Sequence, residues 1–183
     1  LLSNTRKIKF VYVGILSGGR LLKEALEVFQ RHPEWEFHIG GFGPLEEYIK
    51  DIAGKSENIF YYGKIPYKTV IKIEKACDIL FAVYNPSVPN HKYSSPNKLY
   101  EAMMLGKPII VSKDTGIDKV VDSHNLGVVI NYTEKDFERG INTLIKEQNS
   151  WQSIGENAKE LYFKKYSWDI MEQRLIELYN KLL

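Results

Sequence analysis

The side chains best suited to binding chemistry lie in one stretch, Ser94-Ser95-Pro96-Asn97-Lys98-Leu99-Tyr100-Glu101, followed by Ala102 to Gly106 and a proline at 108. Asn97 and Glu101 are four residues apart and share a face if the stretch is helical. Its punctuation predicts that helix. Ser95 is a good N-cap, and Pro96 suits the first helical position because its missing N–H has no intrahelical partner there. Gly106 fits the left-handed C-terminal stop, and Pro108 prevents continuation. Such a helix start offers unpaired N–H groups and a partial positive charge, the ingredients of a phosphate site. One turn further on, the Glu101 carboxylate could hold sugar hydroxyls. The chemistry implied is capture of a ligand that carries both kinds of group.

The other reactive side chains form no second constellation. Cys77 is the single cysteine, which excludes an intramolecular disulfide and multi-cysteine metal sites. Its setting in Ala76-Cys77-Asp78-Ile79-Leu80 predicts a buried small hydrophobe. His32, His38, His91 and His124 lack metal-ligand spacing, so no metal site is expected. His91 stands among prolines and asparagines and reads as an exposed loop histidine, with sugar or phosphate contact as the alternative. Gly40, Gly41 and Gly43 resemble a dinucleotide fingerprint only superficially, because they follow the second strand and not the first. Tight turning is their expected role, pocket lining the second. Phe60-Tyr61-Tyr62 alternates across a strand and reads as packing.

Strands and helices alternate along the chain and must position these groups. Strands are expected at 8–14, 35–39, 58–62, 78–84, 109–112 and 127–130. Leu22, Ala25, Leu26 and Phe29 recur at helical spacing within 21–31. Further helices are expected at 45–53, 68–76, after Ser95, around Phe137 to Ile145, and from Trp151 to the end in two pieces broken near Ser167. Residues 85–93 are the longest irregular stretch. This βαβ order predicts an α/β fold, a doubly wound parallel six-stranded sheet with helices on both faces and a helical C-terminal tail. Ligands then collect at the carboxyl ends of the strands, on the loops at 15–20, 40–44, 63–66, 85–95 and 113–117.

A chain of 183 residues can bury a full core. It reads as one domain over 1–183, with an α/β core at 5–150 and C-terminal helices at 151–183. A formal net charge of +2 gives no field that argues for nucleic acid. No apolar run reaches the ~18 residues of a transmembrane helix, and the start lacks a signal peptide. The chain begins at Leu1 without methionine and soon enters a strand, so we expect a piece of a longer protein.

The order of these loops resembles the C-terminal, nucleotide-sugar-binding half of a GT-B glycosyltransferase, of the large retaining group often called family 4. Tyr12-Val13-Gly14 resembles that family's first strand and turn, and Gly40-Gly41-Phe42-Gly43-Pro44-Leu45 its Gly-x-Gly-Pro-Leu segment. Tyr62-Gly63-Lys64-Ile65 resembles its third strand end, and Ala76-Cys77-Asp78-Ile79 the start of its Ala-Asp-Ile strand. The most diagnostic block is Ser95 to Met103 with Gly106-Lys107-Pro108. Thr115-Gly116-Ile117 and Tyr166-Ser167-Trp168 also fit.

The resemblance implies roles residue by residue. Glu101 matches the second acid of the family's paired-Glu motif, which holds the ribose hydroxyls. Ser95, Pro96, Asn97, Lys98 and Leu99 would bring backbone N–H groups and small side chains to the diphosphate, beside the turn at Gly14. Ile65 matches the residue whose main chain meets the base, whereas Lys64 reads as solvated. Gly116 and Ile117 would line the pocket wall. Two positions depart from the pattern. The family often has Arg directly after the first Val-Gly, where this chain has Ile15, so Arg20 is the expected diphosphate partner and leaving-group stabiliser. Tyr93 stands eight residues before Glu101, where the first acid of the pair belongs. That places the chain with the subgroup carrying Ser-Pro-Asn-Lys here, and leaves the donor sugar open.

The implied function is transfer of a sugar from a nucleotide donor, UDP favoured and GDP the alternative, to a glycan or lipid-linked acceptor with retention. No other cofactor is implied, and no residue here is a convincing general base. Acceptor contacts would come from the N-terminal half, toward which the C-terminal helices would pack, so this part alone would turn over little. The expected setting is cytoplasmic, with membrane contact only through the rest of the protein. Two rivals share the nucleotide: a sugar-nucleotide epimerase of similar two-lobed architecture, and a catalytically inactive binding scaffold. A receiver-like regulatory domain fails, because its acidic positions hold Gly14-Ile15-Leu16 and Gly63-Lys64-Ile65.

Overall fold

The computed structural model describes residues 6–182; residue 5, the expected start of the core, lies outside them. Strands β1 (Ile8–Ile15), β2 (Trp35–Phe42), β3 (Ile59–Tyr61), β4 (Ile79–Ala82), β5 (Ile109–Ser112) and β6 (Gly127–Ile130) form one sheet in the order β3-β2-β1-β4-β5-β6. All five pairings are parallel. The expected doubly wound sheet is therefore present, and its strand order reverses between β1 and β4, where such sheets open a ligand crevice.

Helices cover both faces. Their order is α1 (Leu22–Arg31), α2 (Glu46–Gly54), α3 (Tyr67–Ala76), the short α4 (Pro89–Tyr93), α5 (Asn97–Leu105), α6 (Ile117–Ser123), α7 (Glu134–Lys146), α8 (Trp151–Leu161) and α9 (Trp168–Asn180). One face carries an aromatic core, in which Phe10, Phe29, Phe37, Phe81 and Phe137 are fully buried. The other packs Val11, Leu80, Leu99, Met103 and Val111 beneath α5 and α6. Strands buried on both faces read as continuous apolar runs, as Ile79-Leu80-Phe81-Ala82 does. The tail breaks where expected: a π-type turn at Tyr162–Tyr166 and an extended Ser167 separate α8 from α9.

Several local expectations are corrected. Strand β2 runs on to Phe42 because Gly41, at φ 132, packs its backbone onto Gly14, and a β-carbon there would collide with the Gly14 carbonyl oxygen. Gly41 therefore serves close packing of β2 on β1, where tight turning was expected of the glycine cluster. Strand β4 ends at Ala82, and Tyr84 instead hydrogen-bonds the Ser112 hydroxyl through its backbone N–H at 2.8 Å. Part of the expected irregular stretch is helical, as α4. His91 within it is buried against the Tyr84 ring, 5.4 Å away, and is not the exposed loop histidine expected.

Candidate functional site

Helix α5 starts at Asn97, with Pro96 in the cap position at φ −72°, ψ 139°. Ser95 is not the cap; its hydroxyl bonds that of Tyr100 instead, so the capping expectation is corrected by one residue. Asn97 and Lys98 are the first two helical residues and have no intrahelical acceptor for their N–H groups. The Leu99 N–H is already engaged by Pro96 O at 3.2 Å, and its side chain is fully buried, so Leu99 anchors the helix. Gly106 ends α5 in the left-handed region at φ 66°, as expected.

The start of α5 faces a crevice of about 300 Å³ at the carboxyl ends of β1 and β2. Gly14, Gly41, Ile65, Asn97, Lys98 and Glu101 line it. Lys98 turns back over β1, and its Nζ lies 4.6 Å from the centre of the Tyr12 ring. A β-carbon on Gly14 would sit 2.6 Å from that Nζ, so glycine here makes room for the ammonium group. Burial depresses the Lys98 pKa to about 8, a pull that the Arg20 charge reinforces and the Glu101 carboxylate opposes. The sequence fitted Lys98 into a backbone-binding block; the structure adds a directed side-chain charge.

Glu101 is buried on the same helix face, as the four-residue spacing predicts. Burial raises its pKa, while Lys98 and the nearby Tyr67 hydroxyl pull it down. Asn97, Glu101 and Tyr67 form a wall between the crevice and a second hollow of about 450 Å³. That hollow is aromatic, lined by Tyr100, Tyr162, Tyr166 and Trp168. Its carboxylate and tyrosine rim belongs to both spaces.

Arg20 lies behind this group. Its guanidinium stacks over Tyr84 at 4.9 Å, and its Nε donates to the Ser17 hydroxyl at 3.3 Å. Gly116 is elsewhere: it lines a different hollow with Lys92, Tyr93, Asp114 and Asp118. Tyr93 is 81% exposed and Ile15 is 50% exposed, so neither departure from the family pattern is hidden in the core. Among the described residues no cluster of three or more His, Cys, Asp or Glu side chains could hold a metal ion. None of their helices is long and apolar enough to cross a membrane.

One residue beside the site escaped the sequence reading. Glu74 of α3 is 1% exposed, and its Oε2 has no hydrogen-bond partner among the described residues. Burial pushes its pKa up to about 8, the Glu101 charge adds to the shift, and Lys98 opposes it. The available signal was its position four residues after Val70, on the apolar side of α3.

Comparison with known proteins identifies the family. Residues 1–161 match the family model described as glycosyl transferases group 1. An uncharacterised glycosyltransferase of Methanocaldococcus jannaschii is 28% identical over 185 residues, covering 97% of this chain and 46% of that protein. Sucrose-phosphate synthase from Thermosynechococcus elongatus superposes with a TM-score of 0.81 at 15% identity, covering 96% of this chain and 45% of that one. The Anabaena protein HepE, solved in complex with UDP-glucose, superposes with a TM-score of 0.79 at 17% identity, covering 96% and 49%. The chain thus spans about half the length of the relatives it matches. It belongs to the group 1 glycosyltransferases.

Proposed function

We propose that this chain is the donor-binding half of a retaining glycosyltransferase that takes its sugar from a nucleoside diphosphate, UDP before GDP. The observation that carries the reading is the convergence on one crevice of the Lys98 ammonium, the α5 N-terminus and the Glu101 carboxylate. A diphosphate entering there meets Lys98 Nζ above Gly14 and the free N–H groups of Asn97 and Lys98. Glu101 then accepts hydrogen bonds from ribose hydroxyls, and the Ile65 main chain meets the base.

The difficult step in such a transfer is departure of the nucleoside diphosphate from an oxocarbenium-like centre. Fixed positive groups aimed at the leaving oxygens stabilise it without reorganisation. Lys98 supplies one and the α5 dipole another, with Arg20 stabilising from behind. The Ser95-Pro96-Asn97-Lys98 sequence supports assignment to the subgroup lacking the first acid, with Lys98 serving where other members use a loop cation. Gly116, beside Tyr93, is assigned to the sugar-bearing end of the ligand.

The acceptor, a glycan or a lipid-linked sugar, is assigned to the rest of the protein, which works in the cytoplasm and meets a membrane only where its acceptor is lipid. The chain by itself holds the donor and turns over little. Calorimetric titration with UDP, GDP and ADP tests the reading. Binding of UDP or GDP that weakens by about tenfold or more in Glu101→Ala supports it, the loss expected for a hydrogen bond to a charged group. No heat at millimolar nucleotide refutes it.

A further inference from the structure

Where α3 packs on α5 at the crevice, two buried carboxyl groups, Glu74 and Glu101, share a charged cluster with the Lys98 ammonium. The Tyr67 hydroxyl, also on α3, adjoins Glu101, and Arg20 bears on Lys98 from the first loop. With every group ionised, the cluster of Glu74, Glu101 and Lys98 carries excess negative charge. A nucleoside diphosphate would bring more negative charge to the same place. The cheapest relief is to neutralise the carboxyl that the ligand does not need.

That carboxyl is Glu74. Glu101 lines the crevice and is available to ribose, whereas Glu74 does not reach it. Glu74 is the more deeply buried of the two, and one of its oxygens has no partner. We infer, on the donor-site reading above, that Glu74 is a positioning residue that, above neutral pH, takes up a proton when nucleotide binds, releasing Lys98 to the diphosphate while it stays directed at Gly14. The step moves one proton from solvent to a Glu74 carboxylate oxygen; no other bond forms or breaks. A neutral Glu74 leaves Lys98 facing a single carboxylate, so its remaining charge is free for the diphosphate. An ionised Glu74 would compete with the phosphate oxygens for it.

Infrared difference spectroscopy of the chain, UDP-bound minus free, at about pH 8.5 tests this directly. The expected result is a new carbonyl stretch of a protonated carboxyl group on UDP binding, absent in Glu74→Gln. Glu74→Gln, neutral and still able to hydrogen-bond, is expected to bind UDP about tenfold more tightly than Glu74→Leu. A merely structural role for Glu74 would produce no ligand-dependent band. UDP binding without the band, or a band that survives in Glu74→Gln, overturns the inference and leaves the donor site standing. Absence of UDP and GDP binding to the wild-type chain overturns both. Should neither variant fold, UDP binding without the band in the wild-type spectrum still overturns the inference.

Discussion

At the scale of single residues, the site is a matter of where one ammonium group is allowed to go. Lys98 occupies the space that a β-carbon on residue 14 would need. Gly14→Ala therefore displaces the flexible end of a lysine and not the backbone. Its expected effect is a loss of UDP affinity of about tenfold, the size of one charge-assisted hydrogen bond, with little change in melting temperature. Isothermal titration and a thermal melt on the same sample separate the two. Glu74 gives a prediction of opposite character. Its folded pKa, about 8, lies above its ordinary value, so the folded state retains a proton that the unfolded chain gives up. Stability is then intact below about pH 4.5 and declines as pH rises to about 8. Glu74→Gln escapes that decline and is expected to unfold at a higher temperature than wild type at about pH 8.5, by about 1–3 kcal/mol of stability, but not at about pH 4.5. Equal melting curves at both pH values would contradict it.

These two residues also mark how far the sequence could be read. The Asn97-to-Glu101 spacing was legible because it follows from helical geometry alone. The direction of Lys98 was not, since its side chain crosses to another strand and depends on Gly14 being bare. Glu74 looked like one charge among many; only the packing of α3 on α5 makes it a buried acid. Ser95 failed as a cap because Tyr100 offers its hydroxyl a partner, a contact no local signal announces.

At the scale of elements, the helices and strands were legible from their periodicity and punctuation. Their ends were not, where tertiary contact prevailed. Strand β2 extends through two glycines because those glycines let it lie on β1, and Tyr84 leaves β4 for a serine hydroxyl. The fastening of α1 to α7 is a tertiary feature of the same kind. His32 bonds Glu138 and Glu34 through its two ring nitrogens, each at 2.8 Å, and stacks on Trp35 at 3.9 Å. Burial works against the imidazolium, but the two carboxylates outweigh it and raise the His32 pKa above its usual 6.5. The clamp therefore contributes fully below about pH 6.5 and is lost as pH rises through the raised value. Glu138→Gln is expected to cost up to about 1 kcal/mol at about pH 6 and less at about pH 8.5. Denaturant melts at the two pH values check the sign; a larger cost at the higher pH would contradict the clamp.

At the scale of the whole molecule, the proposed donor crevice lies within the chain, but the C-terminal helix is not covered by the rest of it. Trp168, Ile176, Leu178 and Tyr179 along α9 are each more than half exposed. The chain also spans about half the length of its relatives. The expectation that follows is binding without turnover. With UDP-sugar donors and simple glycan acceptors, the chain alone is expected to transfer no sugar above background in a product assay by mass spectrometry. Robust transfer would show that these residues suffice.

The central claim is that a nucleoside diphosphate sits between Gly14 and the start of α5. Amide NMR of the isotope-labelled chain during titration with UDP tests it most directly. The largest shifts are expected at Gly14, Ile65, Asn97 and Lys98, and they should shrink in Glu101→Ala. Shifts centred instead on the hollow lined by His124, Asn157 and Lys165, or none at millimolar UDP, would contradict it.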